Sequence, residues 1–302
     1  MNPDATVLLE ECRFPAPGAT VDLAVSGGPD SLGLMLLALA NGLVVHVHHV
    51  DHHARPSSGA DAAFVVALCD GLGVAITRHD VEVAPGPNFE ARARAARRAV
   101  LPGAVMTGHT MDDLVETVLL NMLRGAGIDG LSPMLDDPTK PLVGLRRQRL
   151  HEFVVASGWT ACHDESNDDA AFARNRVRHE LLPLLDDIAR RDVVVVLARQ
   201  ARVTRDERAW LDELGREDAS LALDDADCRA LRDWPVARLR RWLRATLASG
   251  DDGDGRHPPS SHELERALGV VRGEVVATEL SGGRRLARRD QHLTLTERSP
   301  LR

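Results

Sequence analysis

Short apolar runs alternate with longer helix-like runs along the first part of the chain. The apolar runs are rich in β-branched residues and bounded by Gly, Asp or Ser, and they predict buried strands at 21–25, 43–49, 74–78 and 104–107. The runs between them predict helices at 31–40, 57–72, 88–100 and 111–123. This alternation is typical of βαβ units, so the sequence predicts an α/β fold with a parallel, Rossmann-like sheet.

The pattern changes in the second half of the chain. Residues 146–208 are predicted to be mainly helical, and the acidic stretch 217–227 marks a boundary. Beyond it the sequence predicts two helices, near 236–248 and 262–271, followed by short strands with hairpin turns. We therefore expect a main domain over 1–190, a helical linker over 191–225 and a small C-terminal α+β domain over 226–302.

A polar hexapeptide, Ser26-Gly27-Gly28-Pro29-Asp30-Ser31, separates the first predicted strand from the first predicted helix. Glycines let a backbone approach an anion closely, serines add hydroxyl donors, and the helix supplies free N-terminal amides. In open α/β folds this turn lies where ligands bind, so we expect a phosphate group as the ligand. The Walker A lysine and the G-x-G-x-x-G spacing are both absent, and the motif alone leaves a plain turn as the alternative.

Composition narrows the class of protein. The 302 residues include four cysteines, Cys12, Cys69, Cys162 and Cys228, which are too far apart to indicate a disulfide framework or an iron–sulfur or zinc knuckle. The chain starts without a basic segment followed by a long apolar run, and no stretch is apolar enough to span a membrane. We expect a cytoplasmic protein with no membrane contact.

The net charge and the distribution of the basic residues point to different partners. The net charge of −8 does not by itself favour nucleic acid, but nearly all the basic charge is arginine, with Lys140 the only lysine. Each arginine cluster is most simply a solvated helix face, although the clusters also offer phosphate contacts. The clusters are Arg92/Arg94/Arg97/Arg98, Arg146/Arg147/Arg149, Arg174/Arg176/Arg178 and Arg238/Arg240/Arg241/Arg244.

Histidines are concentrated at the end of the second predicted strand, at positions 46, 48, 49, 52 and 53. We predict neither a zinc site nor a general base from them. Alternate residues of a strand point to opposite faces, and no acidic or thiol partner is spaced for coordination.

Three acids follow the fourth predicted strand. His109, Asp112, Asp113 and Glu116 fall within two turns of a predicted helix, where the carboxylates repel one another unless a cation joins them. A bound Mg²⁺ or the ammonium of an amine substrate would supply this positive charge. The alternative, an acidic first turn that satisfies the helix dipole, explains one or two of the carboxylates.

The hexapeptide resembles the PP-loop of the N-type ATP pyrophosphatases. This resemblance implies an adenine nucleotide alpha hydrolase-like domain that cleaves ATP between the α- and β-phosphates and transfers AMP to a carbonyl oxygen. It implies that Ser26, Gly27, Gly28, Pro29, Asp30 and Ser31 bind the nucleotide. Asp30 would hold Mg²⁺ against the phosphates or brace the loop.

Later segments resemble those of the tRNA(Ile)-lysidine synthases, in the same order. They are HVDHHARPSS from His49, EARARAARR from Glu90, GHTMDDLVET with RGAGIDGL from Gly108, and DESN with RNRVR from Asp164. Asp51, Ala54 and Arg98 depart from the family, which has Asn, Leu and Tyr there. The resemblance covers about residues 21–185 strongly, and the C-terminal part only loosely.

The resemblance implies ATP-dependent ligation of lysine to C2 of cytidine 34 in the CAU anticodon of tRNA(Ile), through an adenylated cytidine. The expected cofactors are ATP and Mg²⁺, and the expected partners are tRNA(Ile) and L-lysine. Whether two copies form a homodimer is left open. Since the chain has no tyrosine, arginine is expected to replace aromatic side chains in stacking on bases.

The resemblance also implies roles for individual residues. Asp30, His109, Asp113 and Arg124 are expected at the reacting centre, with Asp113 as the candidate acceptor of the lysine proton. His49 and Arg55 are expected beside the nucleotide. The expected substrate contacts are Asp112, Asp113, Glu116, Arg94, Arg97, Arg174, Arg176 and Arg178.

Two alternatives remain from the sequence. A tRNA 2-thiocytidine synthase shares the PP-loop, but the chain has no C-x-x-C pair and no cysteine near the loop in sequence. A non-catalytic ATP-dependent tRNA-binding module is disfavoured by the intact set of acids. For the cluster at Arg238–Arg244, distal tRNA contact and a solvated helix face are equally supported.

Overall fold

The computed structural model describes residues 3–51, 58–82, 89–162, 172–248 and 259–297. The chain divides into two compact units, Met1–Asp206 and Glu207–Arg302. The domain boundaries expected at 190 and 225 stay predictions. Within the described ranges, no helix has the length and apolar content that crossing a bilayer requires.

Three parallel strands form the sheet of the first unit. They are β1 (Thr20–Ala24), β2 (Val44–Asp51) and β3 (Ala75–Asp80), in the order β1-β2-β3. In the register, Asp22 lies opposite His46, and His46 lies opposite Ala75. The predicted α/β fold with a parallel sheet is therefore confirmed.

The fourth predicted strand, 104–107, is reduced to one parallel bridge between Leu23 and Met106. Met106 N donates to Asp22 O at 2.8 Å, and Ala24 N donates to Met106 O at 2.9 Å. The ladder goes no further, since Thr107 N donates to Thr139 O instead. This short bridge still places the segment after residue 106 next to the turn that follows β1.

The helices predicted in the N-terminal part are confirmed to within two residues at each end. Each follows a strand or the Met106 bridge, as βαβ connections require. The helices of the first unit before residue 160 are α1 (Pro3–Leu9), α2 (Pro29–Ala40), α3 (Ser58–Leu72), α4 (Phe89–Val100), α5 (Met111–Leu123) and α6 (Arg147–Ala156).

A second helical segment follows. It consists of α7 (Ala173–Arg176), a π-helical turn (Val177–Leu181) and α8 (Leu182–Ala189), and α9 (Val193–Leu214) comes next. Val177 and Leu182 are buried against Leu114 of α5, together with Ala198 of α9. This apolar contact holds the 173–189 segment beside α5.

Close packing sets the position of α6 relative to α2. A Cβ on Gly33 of α2 would lie 2.4 Å from Leu150 Cδ1, so only glycine lets the two helices approach this closely. Leu150 is fully buried in the core formed by α2 and the inward face of β1 and β2, including Leu23 and Val47. The first turn of α6 is thereby brought to the loop before α2.

The second unit is a small α+β structure. Its helices are α10 (Cys228–Arg232), α11 (Val236–Thr246) and α12 (Ser261–Arg272), and its antiparallel sheet is β4 (Ala277–Leu280), β5 (Arg284–Arg289) and β6 (His292–Glu297). Trp242, Leu268 and Leu286 lie in its core. This agrees with the α+β character expected of the C-terminal part.

Candidate active site

The loop between β1 and α2 is held in shape by its own residues. Ser31 Oγ donates to Gly28 O at 2.9 Å and accepts a bond from Ser26 N at 3.2 Å. Gly27 has φ +94°, a conformation that side chains with a Cβ rarely adopt. Pro29 opens α2, whose first-turn amides have no partners within the helix. The serine hydroxyls and the start of α2 thus lie together in one ordered turn.

The segment that leads into α5 lies directly against this loop. A Cβ on Gly108 would lie 2.5 Å from Asp30 O and 3.1 Å from Ser31 N, so the absence of a side chain permits the contact. His109 and the start of α5 follow at once. Gly108 therefore brings the two polar motifs that the sequence singled out to one place.

Asp30 lies at the junction of the loop and α6. His151 Nε2 bonds to its Oδ1 at 2.8 Å, and Arg147 Nε lies 3.5 Å from its Oδ2. The Asp30 side chain keeps about a third of its surface exposed, at 34%. A carboxylate with this exposure at a phosphate loop suits Mg²⁺, which binds through one or two carboxylates together with substrate phosphates.

His49 supports the loop from behind. It is buried, and its Nδ1 donates to the carbonyl of Val25 at 2.8 Å, immediately before Ser26. This bond assigns the proton to Nδ1, because a carbonyl oxygen can only accept. The structure thus gives His49 a bracing position, and its predicted contact with the nucleotide stays a prediction.

Asp113 belongs to the first turn of α5 and caps it. Thr110 N and Thr110 Oγ1 both donate to Asp113 Oδ2 at 2.8 Å, a reciprocal arrangement that fixes the carboxylate. Its other oxygen, Oδ1, accepts bonds from Arg147 Nη2 at 2.8 Å and from Arg174 Nη2 at 3.1 Å. Both oxygens of Asp113 are therefore engaged.

Glu116 is one turn further along α5 and its side chain is completely buried. Arg147 Nη1 donates to Oε1 at 3.0 Å, Arg178 Nε donates to Oε1 at 2.7 Å, and Arg174 Nε donates to Oε2 at 2.7 Å. Arg174 and Arg178 reach one carboxylate because residues four apart share a side of the 173–189 helical segment. Three guanidiniums thus surround the buried Glu116.

Arg147 connects the two halves of the site. Its guanidinium touches Asp113 and Glu116 and lies 3.5 Å from Asp30 of the loop. The sequence placed Arg147 only in an arginine cluster and gave it no role.

The charges fix the ionisation of this cluster. Burial raises the pKa of Asp113, but Arg147, Arg174 and the Thr110 N–H outweigh it and lower the pKa to about 2. Burial likewise raises the pKa of Glu116, and the bond from Arg178 and the charge of Arg147 lower it overall. Both carboxylates are ionised at neutral pH.

The positive charge that the three acids require is therefore supplied by the chain itself. The sequence predicted that a bound cation, Mg²⁺ or an ammonium, neutralises these acids. In the structure, Arg147, Arg174 and Arg178 take that position on Asp113 and Glu116. The predicted recognition of lysine by these acids stays a prediction, and it now requires exchange with an arginine.

Asp112 points away from this cluster into an open groove of about 720 Å³. Its Oδ1 accepts a bond from Arg146 Nη1 at 3.0 Å, and its Oδ2 accepts one from Arg147 N at 2.8 Å. The groove also reaches His151, which bonds to Asp30. It is lined by Asp112, Arg146, Arg147, Gln148, His151, Glu152, Val155 and Ala156.

His109 lies at the entry to α5 beside the only lysine. Its Nδ1 is 2.6 Å from Thr107 Oγ1, which also accepts a bond from Lys140 Nζ at 2.8 Å. The Thr107 hydroxyl thus joins His109 to the positively charged end of Lys140. Lys140 is a neighbour that the sequence did not single out.

Several predicted residues lie away from the loop. Arg124 ends α5, about 17 Å along the helix from Asp113, so the structure does not bring it to the acids. Arg176 is exposed and bonds to Glu180 four residues on. Arg97 lies on an exposed part of α4. The predicted roles of these three residues stay predictions.

Other predictions fall outside the described part of the chain. These are Arg55, the side chain of Arg94, and the segment 164–167. In the second unit, Arg238 bonds to Asp218 and Arg240 to Glu265, and Arg241 pairs with Asp212. These ion pairs favour a solvated helix face at that cluster.

One polar cluster was missed by sequence reasoning. No acidic partner was expected for the histidines of the second strand, yet Asp22 of β1 lies beside both His46 and His48 of β2. His46 and His48 are two residues apart and share a face of the sheet. The strand register, which the histidine run does not reveal, supplies the carboxylate.

Comparison with known proteins identifies the family of this chain. Residues 4–185 match the family model of the PP-loop domain. A tRNA(Ile)-lysidine synthase from Nocardia farcinica is 36% identical over 310 residues, covering 96% of this chain and 96% of the relative. The chain belongs to the tRNA(Ile)-lysidine synthase family. The resemblance seen in the sequence is thereby confirmed.

Further relatives support the same family. A tRNA(Ile)-lysidine synthase from Mycolicibacterium paratuberculosis is 38% identical over 296 residues, covering 93% of this chain and 91% of the relative. Among solved structures, a U34-tRNA thiolase from Methanococcus maripaludis has a TM-score of 0.54 at 14% identity, covering 67% of this chain and 79% of that one. This second likeness concerns the fold alone. The chain is thus related by sequence to lysidine synthases and is similar in fold to the thiolase.

Proposed function

We propose that this protein ligates lysine to C2 of cytidine 34 in the CAU anticodon of tRNA(Ile), using ATP. The cytidine O2 attacks the α-phosphorus of ATP and pyrophosphate leaves. The ε-nitrogen of lysine then attacks C2, AMP leaves with that oxygen, and the amine loses a proton. The proposal rests on the position of Arg147. Its guanidinium contacts the carboxylates of Asp113 and Glu116 and lies beside Asp30 of the nucleotide loop.

In the first step the loop supports the departing pyrophosphate. Its first-turn amides and the hydroxyls of Ser26 and Ser31 are donors that suit phosphate oxygens. Asp30 would hold Mg²⁺, which neutralises phosphate charge when bound. His151 and Arg147 keep the Asp30 carboxylate in place through contacts on both of its oxygens.

In the second step Asp113 and Glu116 receive the lysine. Because Asp113 Oδ1 and both oxygens of Glu116 are bonded to arginines, the incoming ammonium replaces one guanidinium. Arg174 is the best candidate, since its side chain is 30% exposed whereas that of Arg147 is 14% exposed. A carboxyl with a pKa of about 2 accepts a proton poorly, so Asp113 serves best to orient the amine.

The tRNA contacts belong to the more exposed arginines. Arg176 lies on the side of α7 that faces solvent, with a 63% exposed side chain, and its ion pair with Glu180 is easily exchanged for a phosphate. The target cytidine is presented in a single-stranded loop, where a base is read on its edge. The partners, tRNA and free lysine, would place the reaction in the cytoplasm.

The deciding measurement is transfer of labelled lysine to an unmodified tRNA(Ile) transcript with a CAU anticodon, in the presence of ATP and Mg²⁺. We expect incorporation that depends on ATP and releases AMP and pyrophosphate. A transcript with cytidine 34 changed to uridine is the control and should accept no lysine. AMP formation without lysine transfer to the CAU transcript would overturn the proposal.

The role of Asp113 has its own measurement. Asp113→Asn is expected to raise KM for lysine while leaving KM for ATP unchanged. Asp187→Asn is the matched control, because Asp187 is an exposed carboxylate of α8 that pairs with Arg190 three residues on. An unchanged KM for lysine in Asp113→Asn would show that this carboxylate does not recognise lysine.

Thiolation of cytidine is the rival reaction in the same superfamily. The structure places Cys162 beside the loop, where its N–H donates to Gly27 O at 3.0 Å. The thiols of Cys12 and Cys69 are in apolar surroundings, and burial, the largest cause, raises their pKa to about 12 and about 11. A sulfide donor in place of lysine in the same assay tests this reaction, and we expect no thiolated tRNA.

A further inference from the structure

A second cluster of ligand side chains lies on the strands before the loop. Asp22 of β1 is opposite His46 of β2 in the register, and His48 follows two residues later on the same face. One Asp22 oxygen, Oδ1, lies 2.9 Å from His48 Nε2 and 3.3 Å from His46 Nδ1. One carboxylate oxygen and two imidazole nitrogens thus converge on a single point.

The spacing of these atoms matches a metal coordination sphere. The three ligand atoms all lie within 4.8 Å of one another. A tetrahedral Zn²⁺ with ligand bonds of about 2.1 Å holds its ligand atoms about 3.4 Å apart. Small side-chain rotations therefore convert the present hydrogen bonds into three metal bonds, with water in the fourth position.

The neighbouring side chains orient both imidazole rings. His48 Nδ1 is 2.9 Å from His79 Nε2 of β3, and His46 Nε2 is 2.9 Å from Thr77 Oγ1. The rings of His48 and His79 lie edge to edge and nearly coplanar, with an interplanar angle of 17° and centroids 5.3 Å apart. Metal-ligating histidines characteristically use the second nitrogen in this way, which fixes the ring and its tautomer.

The cluster is both anchored and accessible. His48 is buried, whereas Asp22 and His46 keep 37% and 36% of their side-chain surface exposed. An ion can therefore reach it without opening the sheet. None of its residues has a part in the proposed reaction.

We propose that Asp22, His46 and His48 form a binding site for a divalent metal of the borderline class, with Zn²⁺ as the fitting ion. Two imidazoles and one carboxylate select this class over Mg²⁺ and Ca²⁺, which take oxygen ligands. The bound ion ties β1 to β2 just before the loop, where His49 also holds Val25. This site is independent of ATP and of tRNA.

The test uses the full chain without a polyhistidine tag, freed of metal with a chelator and kept free of nucleotide. Zn²⁺ is titrated calorimetrically, and Co²⁺ is used as the spectroscopic probe. We expect one Zn²⁺ per chain, a rise in the thermal midpoint on binding, and the strong visible absorption of four-coordinate Co²⁺. Absence of binding at this stoichiometry would overturn the proposal.

Variants assign the ion to these residues. Asp22→Asn and His46→Gln change partly exposed ligands and should weaken Zn²⁺ binding by more than about 100-fold, beyond the 10- to 100-fold typical of an outer partner. His79→Gln, which removes such a partner, should weaken it by about 10-fold. His262→Gln, an exposed histidine of the second unit, is the matched control. Binding that persists unchanged in Asp22→Asn and His46→Gln would refute the site.

Discussion

Two clusters of the first unit are built around carboxylates, and they differ in what neutralises the charge. Asp113 and Glu116 are bonded to Arg147, Arg174 and Arg178 and lie out of solvent, with Glu116 completely buried. Asp22 is bonded to His46 and His48, whose rings can be neutral, and it lies partly in solvent.

The difference between these partners has a physical consequence. A guanidinium is charged at every accessible pH and can bind a carboxylate through two donors, so the arginine-bonded cluster is neutralised by permanent charges that only another cation can replace. An imidazole can lose its proton and offer a lone pair to a metal. The arginine-bonded cluster is therefore suited to binding a cation such as an ammonium, and the histidine-bonded cluster is suited to binding a proton or a metal ion.

The largest expected effect comes from removing one buried charge. Glu116→Gln leaves the surrounding guanidiniums without their shared carboxylate, and we expect it to lower the free energy of unfolding by about 3 to 5 kcal/mol. Urea denaturation followed by circular dichroism measures this loss.

The other cluster supplies the control for Glu116→Gln. Asp22→Asn, measured in the presence of a chelator, acts on a partly exposed carboxylate and should cost less than about 1 kcal/mol. Equal losses in the two variants would contradict the distinction between a buried carboxylate bonded to permanent charges and a partly exposed one bonded to histidines.

The second prediction concerns the contact that brings the arginine-bonded cluster to the loop. Gly108→Ala places a Cβ 2.5 Å from Asp30 O, so the loop and the start of α5 must move apart. A displacement of about 1 Å at reacting groups costs on the order of 100-fold in rate. Lysine transfer to tRNA measures this effect.

Gly103→Ala is the matched control for Gly108→Ala. A Cβ at Gly103 meets nothing within 4 Å, so this variant should keep the wild-type rate. A Gly108→Ala enzyme with the wild-type rate would show that close approach of the two motifs is not needed.

A part of the site could be predicted from the sequence where residues close together in the chain determine its shape. The loop at Ser26–Ser31 and the capping turn at Asp113 are local, because their shape depends on glycine, serine and threonine within a few residues. Both were placed correctly at the start of a helix. The helices α2 to α5 were predicted for the same reason, since the turns that bound them are local, whereas α1 was not predicted.

The rest of the site depends on contacts between distant segments. Arg147 reaches Asp113 only because Gly33 and Leu150 let α6 pack closely on α2, which no run of arginines reveals. Asp22 meets His46 through strand register, and Asp22 carries no motif of its own. The fourth strand was wrong in extent, because Thr107 bonds to Thr139 rather than to β1.

The third prediction uses acid together with a variant of Asp113 to isolate the contribution of this carboxylate. The pKa of Asp113 is about 2 in the folded chain, whereas an unfolded aspartate has about 3.9, so its contribution is full above pH 4 and is lost as the pH falls toward 2. The contribution is about 2 kcal/mol. Urea midpoints of the wild type and of Asp113→Asn, compared from pH 5 to pH 2.5, should show a shallower loss in the variant. Parallel curves would contradict the lowered pKa.

The smallest expected effect belongs to the histidine-bonded cluster and appears at higher pH. Burial, followed by the charges of His48 and His46, lowers the pKa of His79, so folding favours its neutral form. A histidine with a lowered folded pKa contributes stability above its unfolded pKa of about 6.5, and this contribution is lost as the pH falls through the folded value. In chelator, the thermal midpoint of the wild type should therefore fall slightly between pH 7.5 and pH 5.5, and that of His79→Gln should fall less. His262→Gln should follow the wild type, because its histidine is exposed in the other unit. If His79→Gln and the wild type lose stability equally over this range, protonation of His79 does not distinguish the two clusters.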